Sequence, residues 1–203
     1  MATMKPLTPV RACTLLVVLI ALSLWRLDYR RSVVLRSFIE NRLTSRYDLI
    51  EIYCTRYQVN PALYASVIAG ELLCNWNELD LSDDLRAAIG ADASLGFGQM
   101  RLSTANWLEQ NYASLLDLSP SASRLELLER LRNDTTNIQY TVVYIHLIQR
   151  EFLSVGIQVP TPVQLGSWYA RGIDRDSIRI DSKYVNSVGR AAGKYFSSSL
   201  INR

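Results

Sequence analysis

The sequence predicts an all-α fold, or an α+β fold whose only sheet is a minimal hairpin, in a single domain preceded by an N-terminal hydrophobic helix. Three observations point there. Apolar residues recur at helical spacing through most of the chain. Several of these segments open on Asn-Pro or Thr-Pro, which supply an N-cap followed by proline at the first helical position. No segment alternates apolar and polar residues as a strand does for more than about four positions. At 203 residues, 49% hydrophobic and 20% charged, the chain has enough apolar material for a packed core. Nine Gly and six Pro exclude a low-complexity chain, and no internal repeat is visible.

The N-terminus carries most of the charge asymmetry. Five cations (Lys5, Arg11, Arg26, Arg30 and Arg31) oppose Asp28 alone in the first 31 residues, a net of +4 that leaves −1 of the overall +3 for the rest. A near-neutral body gives no nucleic-acid footprint. Ala12–Trp25 is an apolar run of 14 residues behind Lys5 and Arg11, the layout of a charged n-region and an apolar h-region. Arg26, Arg30 and Arg31 follow it directly, which favours an uncleaved signal anchor over a cleaved signal; Ala21-Leu22-Ser23 is the one small-x-small triplet. Both readings put the body outside the cytoplasm. The expected organisation is therefore a targeting segment over 1–31, an amphipathic helical linker over 32–56 and a domain over 57–203.

The elements follow in order. Val33, Leu35, Phe38, Ile39, Leu43, Leu49, Ile52 and Tyr53 predict helix from Ser32 to Tyr57 with a break near Thr44–Asp48. Its arginines could meet lipid head groups, or the helix could pack on the domain. A helix from Pro61 to about Cys74 is next. The polar stretch Asn75–Ala93 could hold a short hairpin. Gly96 and Gly98 mark a turn, Ser103 caps a helix through Asn111, and Ser119-Pro120 breaks the chain. Helices are expected over Arg124–Arg132, Thr135–Leu153, Thr161-Pro162 to Gly172, and Ser182–Phe196. Cys54 and Cys74 could pair outside the cytoplasm or be free thiols. With one His and no CxxC, the chain presents no metal-binding pattern and calls for no cofactor.

Three groups of residues carry chemistry. Leu63, Val67 and Glu71 are spaced by four and share a helix face, so Glu71 ends an apolar stripe. Desolvation raises a carboxyl's pKa, which is what a general acid needs near neutral pH. Gly96-Phe97-Gly98-Gln99-Met100 places an aromatic between two glycines, where a ligand can approach the backbone, beside an amide that donates and accepts. Trp168-Tyr169-Ala170-Arg171-Gly172 puts two aromatics at a helix end; the rings can face sugars, and the Tyr hydroxyl can steady a carboxylate. His146, Trp76 and Trp107 read as packing residues, the two Trp with a sugar groove as the alternative.

In this order the pieces resemble the soluble lytic transglycosylases, a family with a lysozyme-like fold shared with goose-type lysozyme. Asn60-Pro61 through Glu71 is similar to the segment leading to that family's catalytic Glu, although Leu72 stands where Ser is usual and Asn75-Trp76 where Asn-Pro is. Gly96–Met100 with Ser103-Thr104-Ala105 resembles its Gly-Leu-Met-Gln segment and the start of its next helix. Asn133–Ile138 resembles its Asn-Ile stretch, and Tyr184-Val185 a frequent Tyr-Val pair. Trp168–Gly172 resembles its Ala-Tyr-Asn-x-Gly motif with Ala170 in place of Asn. The resemblance spans about Tyr57–Phe196. It implies a peptidoglycan-cleaving enzyme with Glu71 and Tyr169 catalytic and with Gly96, Phe97, Gly98, Gln99, Met100 and Trp168 against substrate. The expected products are 1,6-anhydro-muramyl, unless water intervenes and the enzyme is a muramidase. Asp92 is the candidate second acid, ahead of Asp83 and Asp84. The alternative is a peptidoglycan-binding scaffold of an envelope-spanning machine. Expected partners are glycan strands and the cytoplasmic membrane.

Overall fold

The computed structural model describes residues 33–75, 91–121, 123–172, 181 and 183–201. The targeting segment, Trp76, Asp83 and Asp84 lie outside them. The chain divides into two compact units, Met1–Arg42 and Leu43–Arg203. Residues 33–44 are helical, and Arg36 donates to Glu40 one turn on, at 3.0 Å. The break expected near Thr44–Asp48 falls at Ser45–Arg46. The expected linker 32–56 is thus shared: its residues from Leu43 onward belong to the larger unit.

The larger unit is mostly helical, with one two-stranded sheet among the described residues. Its elements are α1 (Tyr47–Arg56), α2 (Pro61–Asn75), β1 (Ser94–Leu95), β2 (Met100–Arg101), α3 (Leu102–Leu116), α4 (Arg124–Arg132), α5 (Asp134–Ser154), α6 (Pro162–Arg171) and α7 (Ser187–Ile201). Helix α5 is the axis. It is buried continuously from Asn137 to Ile145 and again at Leu147, Ile148 and Phe152, and its buried polar residues Asn137, Gln139 and Thr141 are all hydrogen-bonded. Helices α1, α3, α4 and α6 and strand β2 all pack on it. Helix α2 packs on α6 and α7. Capping follows the sequence at α2, where Asn60 Oδ1 accepts from Ala62 N at 2.8 Å, and at α6, where Thr161 and Gln164 form a capping box around Pro162.

Several boundaries differ from expectation. The hairpin lies at 94–101, pairing Ser94 with Arg101 and Leu95 with Met100, just after the stretch expected to hold it. Helix α3 starts at Leu102, and Ser103 does not cap it. Asp92 supplies the cap from outside the helix, its Oδ1 accepting from Ser103 N (2.9 Å) and its Oδ2 from the Ser103 hydroxyl (2.8 Å). The same helix continues past Asn111 through a kink at Tyr112 (φ −137°, ψ 28°). Helix α7 starts five residues late because the preceding residues serve α6. Asp181 accepts the Trp168 indole N–H, and Asn186 brackets Ser167 through its backbone N–H and its side-chain amide. Cys54 and Cys74 do not pair; Cys54 is buried, which pushes its thiol up to about 12, and Cys74 is exposed. Among the described residues no helix is long and apolar enough to cross a membrane.

Candidate functional site

Glu71 lies one turn before the end of α2 and is 5% exposed. Its neighbours along the helix, Val67, Ile68 and Leu72, are buried with it. Gly70 sets how near α7 comes. A Cβ at Gly70 would lie 2.7 Å from the Val188 carbonyl and 2.9 Å from Ala192 Cβ. The opposite flank of α7 is as tight against α6, where a Cβ at Gly189 would lie 1.9 Å from Ser167 Oγ. Glycine inside a helix costs about 1 kcal/mol against alanine; here each permits a backbone-to-backbone approach that no larger residue allows. The outcome is that α2 and α6 share α7 as a partner and touch each other as well.

That contact delivers Tyr169 from α6. Tyr169 is 5% exposed, and its hydroxyl donates to the Gly98 carbonyl at 2.6 Å. Burial raises its pKa well above the usual phenol value, and the charges of Tyr64, Glu71 and Tyr144 raise it further. The hydroxyl is therefore a neutral donor near Glu71, and its proton is committed to the Gly98 carbonyl. The expected contact from Tyr169 to the carboxylate is replaced by one that fixes the turn.

The turn itself is strapped from α5. Asn137 Oδ1 accepts from Gly98 N at 2.7 Å, and Asn137 Nδ2 donates to the carbonyls of Leu95 (2.9 Å) and Leu131 (2.8 Å). One turn on, Thr141 donates to the Ile138 carbonyl, so its oxygen accepts the Tyr64 hydroxyl at 2.8 Å. Gly96 and Gln99 both have positive φ (73° and 54°). A Cβ at Gly98 would meet Thr141 Cγ2 at 2.4 Å. Nothing larger than glycine fits between the turn and α5.

The remaining expected residues separate into groups. Phe97 and Met100 are 1% and 2% exposed and belong to the core. Gln99 is buried and donates its Nε2 to the Gly96 carbonyl (3.2 Å). Trp168 is buried; its ring meets Tyr184 edge-on at 5.5 Å and lies 4.8 Å beneath the Arg171 guanidinium. Asp92 has both oxygens on Ser103 and lines a separate cavity of about 400 Å³ with Asn106, Ser121 and Arg124, among whose lining residues Glu71 and Tyr169 do not appear. Trp107 is buried beside Tyr112 (5.1 Å) and His146 half-buried beside Tyr57 (6.4 Å); burial lowers the imidazole's pKa.

Sequence reading gave no individual role to six contributors. Asn137 and Thr141 are polar residues four apart in an apolar helix, a signal that was available. Gly70 and Gly189 are glycines inside helical patterns, another such signal. Tyr144 stacks 5.6 Å from Tyr169, and its buried hydroxyl has no hydrogen-bond partner among the described residues. Glu109, 3% exposed, is a second buried carboxylate, which accepts from Tyr140, from Ser121 N (2.6 Å) and Oγ (2.7 Å), and from Arg130 (2.8 Å). Comparison with protein-family models, curated proteins and solved structures finds no match for the chain.

Proposed function

We propose that the domain is a lysozyme-like peptidoglycan lytic transglycosylase with Glu71 as its single acid and base. The observation that carries this reading is a buried carboxylate near a neutral tyrosine, which together with Asn137 fixes the glycine turn. Glu71 protonates the glycosidic oxygen between N-acetylmuramic acid and N-acetylglucosamine. The substrate's acetamido group stabilises the cationic centre in place of a second enzyme carboxylate. Glu71, now ionised, takes the proton from the muramyl C6 hydroxyl as the 1,6-anhydro ring closes. The engagement of Asp92 by Ser103 favours this route over a muramidase with a second acid to activate water. The role of Tyr169 is to hold the turn against which the sugar lies.

A second reading is a binding scaffold of an envelope-spanning machine. Ala170 in place of the family's Asn favours it, because the side-chain amide that would touch substrate or Glu71 is gone. Incubating the full chain with peptidoglycan and identifying the muropeptides by mass spectrometry separates the two. Anhydro-muramyl products support the enzyme, hydrated ends a muramidase, and co-sedimentation without products the scaffold. The N-terminal run places the protein in the cytoplasmic membrane with its domain outside, so protease should digest the domain only from that side. Mature protein beginning just after Ser23 would make it a released enzyme instead.

A further inference from the structure

Arg101 joins β2 to the end of α6, the helix that carries Tyr169. It closes β2, two residues past Gln99, and its Nη2 donates to the Ala170 carbonyl at 3.4 Å, next to Tyr169. Its Nη1 stands 3.7 Å from where a Cβ on Gly172 would lie. Other arginines rest on carboxylates: Arg36 on Glu40, Arg46 on Asp134, Arg56 on Asp117, and Arg130 on Glu109 and Glu126. Arg101 is exposed; among the described residues it has no carboxylate partner, and its one carbonyl contact uses one of its five donors. Burial raises the pKa of Tyr144, whose ring stacks on Tyr169, and the charge of Arg101 lowers it, so this cation is felt within the site. The same place is where Ala170 removes the expected amide.

We propose that Arg101 is a specificity residue that binds a carboxylate of the peptide stem carried by a muramyl residue, setting the register of the glycan strand over Glu71. The inference rests on the glycan-cleaving reading. A guanidinium fork takes a carboxylate with two parallel hydrogen bonds, which a neutral Asn at position 170 could not match in strength. An Arg101 that merely caps the C-terminal carbonyls of α6 is the competing account.

The test compares full-length wild type, R101Q and R101K on glycan strands bearing stems and on strands stripped by an amidase. Wild type should prefer stem-bearing strands in kcat/KM. R101Q should collapse that preference about tenfold or more, mainly through KM, because a hydrogen bond to a charged group is lost. R101K should restore part of it, keeping the charge and losing the fork. Equal losses on both substrates, with a lowered Tm, would make Arg101 a structural cap and overturn the inference while leaving Glu71 in place. If wild type cleaves neither substrate, the catalytic reading fails, and co-sedimentation with the same two strands decides the inference. Stem-dependent binding lost in R101Q supports it; binding indifferent to stems, or none, ends it.

Discussion

Glu71 and Glu109 are both buried carboxylates, 5% and 3% exposed, and they are built in opposite ways. Glu109 faces a polar cluster. Burial alone would raise its pKa, and donation from Tyr140, Ser121 and Arg130 more than offsets that, leaving it lowered. Its work is mechanical. It ties the kinked part of α3 to Ser121 and to α4, and Arg130 extends the tie to Glu126 and the Ser119 carbonyl. Glu71 ends an apolar stripe, and the nearby Tyr169 donates elsewhere, to the Gly98 carbonyl. Burial is therefore shared by two carboxylates in different surroundings. What distinguishes them is the tyrosine beside each: Tyr140 donates to the Glu109 carboxylate, whereas Tyr169, near Glu71, donates to the Gly98 carbonyl.

The comparison breaks most directly at Glu71. Glu71→Gln should abolish glycan cleavage, a loss of about 10²–10⁴-fold for one acid–base group, with circular dichroism and Tm close to wild type. Wild-type turnover in this variant would remove Glu71 from the chemistry. Glu109→Ala should do the reverse. Removing the carboxylate strips Tyr140 and Ser121 of their acceptor while Arg130 keeps Glu126, and costs about 1–3 kcal/mol, read as a lowered urea midpoint, with any activity loss following the unfolded fraction.

The two carboxylates should also differ against pH. The folded-state pKa of Glu109 is lowered, so its contribution is complete above the ordinary Glu value of about 4.3 and is lost as pH falls through the lower folded value. Urea midpoints measured from pH 6 downward should fall for wild type and fall less for Glu109→Gln. Parallel curves would show that the carboxylate's charge does not stabilise the fold.

Smaller effects sharpen the contrast around Tyr169. Tyr169→Phe keeps the ring and frees the Gly98 carbonyl. It should cost about 1–3 kcal/mol, reducing turnover more than sacculus binding as the turn loosens. Equal losses in both would make Tyr169 a sugar platform. Tyr144→Phe removes a buried hydroxyl with no partner among the described residues, so the variant should be as stable as wild type or slightly more so. A drop in kcat alongside unchanged stability would instead place that hydroxyl on the substrate.

Much of this was readable from the residues. The stripe ending at Glu71, the capping box at Thr161-Pro162, the break at Ser45–Arg46 and the turn at Gly96 and Gly98 all depend on interactions within about four residues, where propensity, capping and periodicity act. Glu71 drew attention for this reason, and Glu109 did not, since its donors come from Ser121, Arg130 and Tyr140. The Asp92 cap on Ser103 was missed on the same ground, being an interaction eleven residues long.

By itself the sequence determined that the described residues are mostly helical, the places where most of those helices begin, and the helix face on which Glu71 stands. Only the tertiary structure decided that the proton of Tyr169 goes to Gly98, 71 residues away, that Asn137 straps the turn, and that Arg101 reaches the carbonyl of Ala170. The physical reason is that these contacts depend on how closely distant elements approach: the turn and α5 for Asn137, and α2, α6 and α7 for the placement of α6. That distance is set by absent side chains at Gly70 and Gly189 meeting particular atoms of another helix, and no local rule names those atoms in advance.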